Sequence, residues 1–371
     1  MPKTGILSIL PRIQARSVSS FDRLYQLVGQ NTGNLLFTNA VWNQIAGPKE
    51  RINFTFDPGK LNERLGALVI PAANWLSPRV DFRDLADLVE KLTIPVVLIG
   101  LGAQDASYSG RIDIPDGTVR FVRAVAQRSD SISVRGDYTR RILEGFGITN
   151  VTVTGCPSLY HNFRSFVPPS NNLHVRFDRG LIHATRYSAS YAPFARTKSL
   201  QRELFRLAYE NGMDILFQSE PEEMRLLTGL DLENAFDDRL KGLMLEIYGA
   251  QDWNVLVDYV VSHGRLFFDV GEWSRSLDAY DYVLGTRLHG TIIALNSGVP
   301  AVLIHHDSRT RELAEFAAIP SVALENASLD PKKIVKLLNG IEWKGYYDRR
   351  SQNAALYKQF LLKNALPASE F

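Results

Sequence analysis

Short apolar runs at 5–10, 68–71, 95–99, 131–134 and 151–154 are separated by stretches in which apolar residues recur at helical spacing, at 34–45, 82–92, 118–128 and 137–146. The runs predict buried strands and the spaced segments amphipathic helices. The pattern collapses into a proline- and asparagine-rich stretch around 163–172, where we place a boundary between two halves. It restarts with strands at 180–185, 214–218, 265–268, 282–284 and 301–304, and with helices at 200–211, 221–230, 232–248, 253–262 and from 307 onward. Alternation of this kind predicts an α/β fold with mainly parallel sheets. The expected divisions are a first lobe over 1–168, a second over 175–340, and a tail over 341–371 whose helix at 353–362 packs back across the first lobe.

The most informative segment runs from 282 to 300. A buried strand is broken by Gly285 and Thr286, an apolar helix follows over 290–297, and Gly298 and Pro300 stop it. Arg287 and His289 therefore lie in a strand-to-helix turn. In an open parallel sheet the crevice at the carboxyl ends of the strands is the usual ligand site, and helix N-termini there favour anions. Arg287 can aim a planar fork at a carboxylate or phosphate, and His289, beside a bound anion, can become protonated near neutral pH and act as an acid. Arg186, after the first strand of the second half, is a second candidate cation. Residues 131–136, leading into a helix, echo 282–287 and place Arg135 in a similar turn, with Asp137 as a natural helix cap.

A chain of 371 residues suits two domains, and 42 basic against 40 acidic residues gives no global field for nucleic acid. A single cysteine, Cys156, excludes an intrachain disulfide and points to a reducing compartment; no signal-peptide pattern or membrane-length apolar run is present. We therefore expect a cytoplasmic protein, with peripheral association at the inner face of a membrane compatible with this composition.

No dinucleotide fingerprint or Walker sequence occurs, so no nucleotide cofactor is expected. His305, His306 and Asp307 have metal-ligand composition, but adjacent histidines after a strand point apart, and no metal is expected. Asn31, Asn34, Asn74 and Gln104 follow or precede elements whose ends face the cleft, and are candidates for recognising hydroxyls. Cys156 reads as structural.

Taken together, 131–136, 153–158, 286–290 and 308–313, with weaker agreement at 31–34, 69–74 and 100–104, resemble the polysaccharide pyruvyl transferase family. The Arg-x-His-Gly element before an apolar helix is the most specific part. The resemblance implies two Rossmann-like lobes of the glycosyltransferase-B kind with a cleft between them. It also implies transfer of pyruvate from phosphoenolpyruvate onto two hydroxyls of one sugar or lipid-linked oligosaccharide, giving a cyclic ketal. It puts His289 as the acid or base and Arg287, Arg186 and Gly290 on phosphoenolpyruvate, with the acceptor on the first lobe. Many members carry an acidic residue where Cys156 stands. Two other readings suit the same fold: a nucleotide-sugar glycosyltransferase, with Glu312 or Glu315 on the ribose, and a non-catalytic sugar-binding protein.

Overall fold

The computed structural model describes residues 2–10, 12–105, 112–161, 175–185 and 195–370. The first group of strands is β1 (Lys3–Leu7), β2 (Lys49–Ile52), β3 (Leu65–Pro71), β4 (Val96–Ile99), β5 (Ile132–Val134) and β6 (Val151–Val153). They lie in the order β2-β1-β3-β4, and the β5-β6 pair joins this sheet through a bridge between Leu101 and Val134. The second group is β7 (Gly180–His183), β8 (Asp214–Leu216), β9 (Gly264–Arg265), β10 (Tyr282–Gly285), β11 (Ala301–His305) and β12 (Ser321–Ala323), ordered β9-β8-β7-β10-β11-β12. All these strand pairs are parallel.

The second order is the doubly wound one, in which the direction of winding reverses between β7 and β10. Parallel strands covered by helices on both faces are apolar throughout, which is why β4 is the unbroken run Val-Val-Leu-Ile with every residue buried. One apolar cluster spans both sheets, bringing Ile6, Val97 and Leu159 together with Leu181, Val283 and Ile292.

The helix Trp343–Lys363 belongs to the same cluster through Trp343, Tyr357 and Phe360. It lies against the first sheet: Arg350 Nε donates to the Leu159 carbonyl at 2.7 Å, and the Tyr160 and Tyr357 rings stack at 5.2 Å. Beyond its end, Ala46 N–H donates to Pro367 O and Ser369 N–H to Gln44 O. Two Rossmann-like sheets with a terminal helix returning to the first make the fold glycosyltransferase-B-like.

Some boundaries differ from the sequence expectation. The helix expected over 232–248 begins only at Asp238, capped by Asp237, because Asp231 and Asn234 take left-handed backbone angles of 50° and 58°. The terminal helix is longer than 353–362. The boundary expected at 163–172 lies outside the described residues. Among the described residues, no helix is long and apolar enough to cross a membrane.

Candidate functional site

Residues that follow the carboxyl ends of strands in both sheets touch one another: Gln104 meets Asp307, Thr139 meets Glu312, and Cys156 meets His289. The turn after β10 is shaped by Gly285, which pairs with His183 so closely that a Cβ would lie 1.7 Å from the His183 carbonyl oxygen. The Arg287 backbone N–H donates to His183 Nδ1 at 2.9 Å, leaving the ring proton of the neutral imidazole on Nε2. Burial and the nearby Arg287 charge push the pKa of His183 down to about 3, so this ring is a neutral structural post.

Arg287 itself departs from the expected open anion trap. Its Nη2 donates to Ser219 Oγ at 2.6 Å and forms an ion pair with Glu220, while Nε donates to the Ala184 carbonyl. Glu220 is 2% exposed, and its second oxygen accepts the backbone N–H groups of Gln218 and Ser219, each at 3.0 Å. The Arg287 charge is thus matched inside the protein before any ligand arrives. Gly290 likewise serves packing: a Cβ there would meet His183 Cδ2 at 2.9 Å and Leu216 at 3.2 Å, so the bare backbone lets the helix Leu288–Asn296 sit on β7 and β8. Arg186 lies outside the described residues.

His289 stands in the first turn of that helix, partly buried, with its ring 5.7 Å from the ring of Phe37. Its Nε2 is 3.8 Å from Cys156 Sγ. Its Nδ1 faces Gly33, at the start of the helix Gly33–Gln44: a Cβ on Gly33 would lie 2.9 Å from His289 Nδ1, 2.9 Å from Asn31 Oδ1 and 2.7 Å from Gln218 Oε1. Burial, followed by the charges of Arg135, Arg309 and Arg287, holds its pKa well below the usual 6.5. Burial and these three charges favour the neutral ring, whereas the expected protonation concerns a ring beside a bound anion.

The cations that lack a tight carboxylate partner are elsewhere. Arg135, 1% exposed, donates from Nε to the Gly100 carbonyl at 3.0 Å and from Nη1 to Asn74 Oδ1 at 2.7 Å, and its buried Nη2 has no partner among the described residues. Its pKa is lowered first by burial and also by Arg309, against opposing effects of Cys156 and Glu312. Arg309, in the helix Ser308–Ala317, reaches Asp307 only at 3.4 Å and keeps a buried Nε without a partner. Gln218 Nε2 is a third buried donor with no partner.

The cleft candidates divide accordingly. Asn31 Oδ1 accepts the Gly33 N–H, and Asn74 orients Arg135. Asn34 is occupied locally, donating to the carbonyls of Val28 and Gly29, so it stabilises the turn and does not reach into the crevice. Gln104 bridges the two sheets, donating to Asp307 Oδ2 at 3.3 Å; Asp105 and Ser308 exchange hydrogen bonds beside it. Asp307 caps its helix and stays ionised: burial alone would raise its pKa, but Arg309, His306 and Thr310 bring it down to about 2. Glu312 accepts from Thr139 N–H at 3.0 Å and Thr139 Oγ1 at 2.6 Å, and Glu315 pairs with Arg311, so neither carboxylate suggested for a ribose points into the crevice unengaged. Among the described residues no group of His, Cys, Asp and Glu is arranged to hold a metal ion.

Sequence reasoning missed Gly33, Gln218, Glu220 and Arg309 as parts of this site. Gln218 to Glu220 follow β8 as the recognised candidates follow their own strands, so the rule that picked out Arg287 applied to them as well.

Comparison with known proteins bears on the same residues. The family model for polysaccharide pyruvyl transferase matches residues 31–308, which takes in Gly33, Arg135, Cys156, Gln218, Arg287 and His289. The amylovoran biosynthesis protein AmsJ of Erwinia amylovora is 24% identical over 226 residues, covering 58% of this chain and 52% of its own length, so the chain spans about half of that curated relative. Solved structures similar in overall shape include the UDP-N-acetylglucosamine 2-epimerase of Rickettsia bellii, at 12% identity, 98% and 96% coverage and a TM-score of 0.45. The UDP-GlcNAc 2-epimerase of Methanocaldococcus jannaschii matches at 14% identity, 96% and 100% coverage and a TM-score of 0.44. With the family model matched over most of its length, across both sheets and the crevice between them, the chain belongs to the polysaccharide pyruvyl transferase family.

Proposed function

We propose that this chain transfers the pyruvyl group of phosphoenolpyruvate onto two hydroxyls of one sugar, forming a cyclic ketal in the synthesis of an exopolysaccharide or other surface polysaccharide. Family membership supports transferase chemistry, and the amylovoran biosynthesis relative supports the polysaccharide setting. The observation that carries the donor is the set Arg135, Arg309 and His289. Arg135 is a buried cation whose hydrogen-bond partners are neutral, and Arg309 is only loosely paired. Buried charge without a counter-charge is unfavourable, and a ligand bringing phosphate and carboxylate together relieves it.

The neutral imidazole suits the first chemical step. His289 takes the proton of the attacking sugar hydroxyl as that oxygen bonds to C2 of the donor and the methylene carbon gains a proton. Phosphate then leaves with the electron pair of its C–O bond, and the second hydroxyl closes the ketal. The two hydroxyl protons end on the new methyl group and on phosphate, so the reaction balances without a redox partner. Arg135 and Arg309 stabilise charge on the departing phosphate, a preorganised electrostatic role. Gln218, whose Oε1 faces Gly33 and whose buried Nε2 has no partner among the described residues, offers a donor to an acceptor hydroxyl.

The test is phosphate release from phosphoenolpyruvate over a panel of galactose-, mannose- and glucuronate-containing acceptors, free and lipid-linked, with products checked for a gain of pyruvate less water. Release should depend on acceptor and be lost in His289→Ala and Arg309→Ala with folding retained. Consumption of a nucleotide sugar, with no phosphate released from phosphoenolpyruvate by any acceptor, overturns the reading.

A further inference from the structure

The Cys156 thiol, part of the apolar cluster that spans both sheets, lies beside the candidate base His289. Cys156 is fully buried in the turn after β6, and its Sγ lies 3.0 Å from Ser158 Oγ and 3.8 Å from His289 Nε2. Ser158 is held in turn by its backbone, whose carbonyl accepts Asn296 Nδ2 at 2.7 Å. A line of polar atoms thus runs from Ser158 through Cys156 to the far nitrogen of the ring, while the other ring nitrogen, Nδ1, faces Gly33 at the start of the helix Gly33–Gln44. A second observation points to the same place: Arg135, whose charge acts on His289, is buried with its Nη2 unpartnered among the described residues.

We propose that Cys156 is a positioning residue for His289: its sulfur occupies Nε2 and fixes the ring so that Nδ1 exchanges protons with the substrate. With the thiol S–H donating to Ser158 Oγ, Sγ accepts from Nε2–H, and the tautomer that results leaves a lone pair on Nδ1. A ring orienter at a catalytic histidine normally fixes the tautomer in this way. The choice of sulfur has a consequence. A carboxylate at this place would stabilise the imidazolium, whereas a neutral thiol leaves the ring neutral among the charges that face it, Arg135 from the turn after β5, Arg309 from the helix Ser308–Ala317 and Arg287 from its own turn.

The inference rests on the pyruvyl-transfer reading only for its turnover measurements, so its test has two independent readouts. The full chain and its Cys156→Ala, Cys156→Ser and Cys156→Asp variants are compared by NMR titration of the His289 ring, assigned with His289→Ala, and by the pH profile of phosphate release from phosphoenolpyruvate. In Cys156→Asp the ring should titrate at least about tenfold more readily, and the acid limb of kcat/KM should move to higher pH by the same factor. Cys156→Ala should lose about tenfold or more in kcat with little change in the KM for phosphoenolpyruvate, since a misoriented base costs rate rather than donor affinity. Cys156→Ser, which keeps a hydrogen-bonding group, should recover most of that loss. Folded Ala and Asp variants whose ring titration matches the parent overturn the proposal. Should Cys156→Asp not fold, an unchanged ring tautomer and titration in Cys156→Ala does so. A ring that responds as expected in a chain releasing no phosphate leaves the positioning role standing and removes the pyruvyl-transfer reading instead.

Discussion

Replacing Glu312 by Gln should stabilise this protein at alkaline pH, although it removes a charged group bound by two hydrogen bonds. Glu312 is 2% exposed and links the two lobes through Thr139. Burial raises its pKa from 4.5 to about 7, and the Thr139 bonds and Arg135 oppose that rise without cancelling it. Between about pH 4.5 and 7 the folded chain holds this proton while the unfolded chain has lost it. The contribution to stability is therefore complete below the unfolded pKa and disappears as pH rises through the folded one. A difference of that size corresponds to about 3.5 kcal/mol at about 1.4 kcal/mol per pH unit. Gln mimics the neutral acid: its carbonyl accepts the Thr139 N–H and its amide donates to Thr139 Oγ1, which already accepts the Ala103 N–H. Urea unfolding of both proteins should give similar stabilities near pH 4.5 and a gap that opens to about 3 kcal/mol by pH 8 and then stays nearly constant. Subtracting one curve from the other removes the opposing contributions of His183, His289 and Asp307, whose folded pKa values are depressed and which destabilise the chain as pH falls. A gap that does not vary with pH, or a less stable Glu312→Gln protein at pH 8, refutes the reasoning.

Two further substitutions separate packing from charge. Gly33→Ala adds a carbon 2.7 Å from Gln218 Oε1 and 2.9 Å from His289 Nδ1 in a helix whose backbone accepts Ala, so thermal melting should change little while kcat/KM for phosphoenolpyruvate falls about tenfold or more. Full activity would show that those side chains need not hold their places. Arg287→Ala leaves the buried Glu220 carboxylate without its cation and should cost about 3–5 kcal/mol in urea unfolding, most of it recovered in the Arg287→Ala/Glu220→Gln double variant. A double variant no more stable than the single one would refute the pairing.

The parallel architecture was readable because its strands are buried on both faces and announce themselves as apolar runs. β2 was not, since Lys-Glu-Arg-Ile sits at a sheet edge with its charged residues only partly covered. The helix Pro331–Asn339 was also missed, although Asp330 caps it and proline occupies its first turn, both local signals. The first half of the terminal helix carries Trp343, Tyr346 and Tyr347, whose burial depends on the lobe they pack against and leaves no periodic signature at that length.

The site was legible to the depth at which local chemistry decides. Arg287 and Arg135 look alike in sequence, each ending a strand and preceding a helix, and both candidate turns do reach the crevice. Their electrostatic states are opposite. Arg287 meets a carboxylate 67 positions away, on the turn after β8, whereas Arg135 meets a glycine carbonyl and an asparagine amide oxygen. Spacing along the chain carries no information about which cation finds a counter-charge, because the choice is made by strand order: β8 lies on the far side of β7 from β10, and the Arg287 side chain passes the end of β7, bonding the Ala184 carbonyl, to reach Glu220. Arg309, at the start of the helix that follows β11, acts electrostatically on Arg135 from the other sheet. A conspicuous arginine beside a motif histidine is thus the one the fold has already neutralised, and the charge left for a ligand sits on residues whose sequence context is plainer.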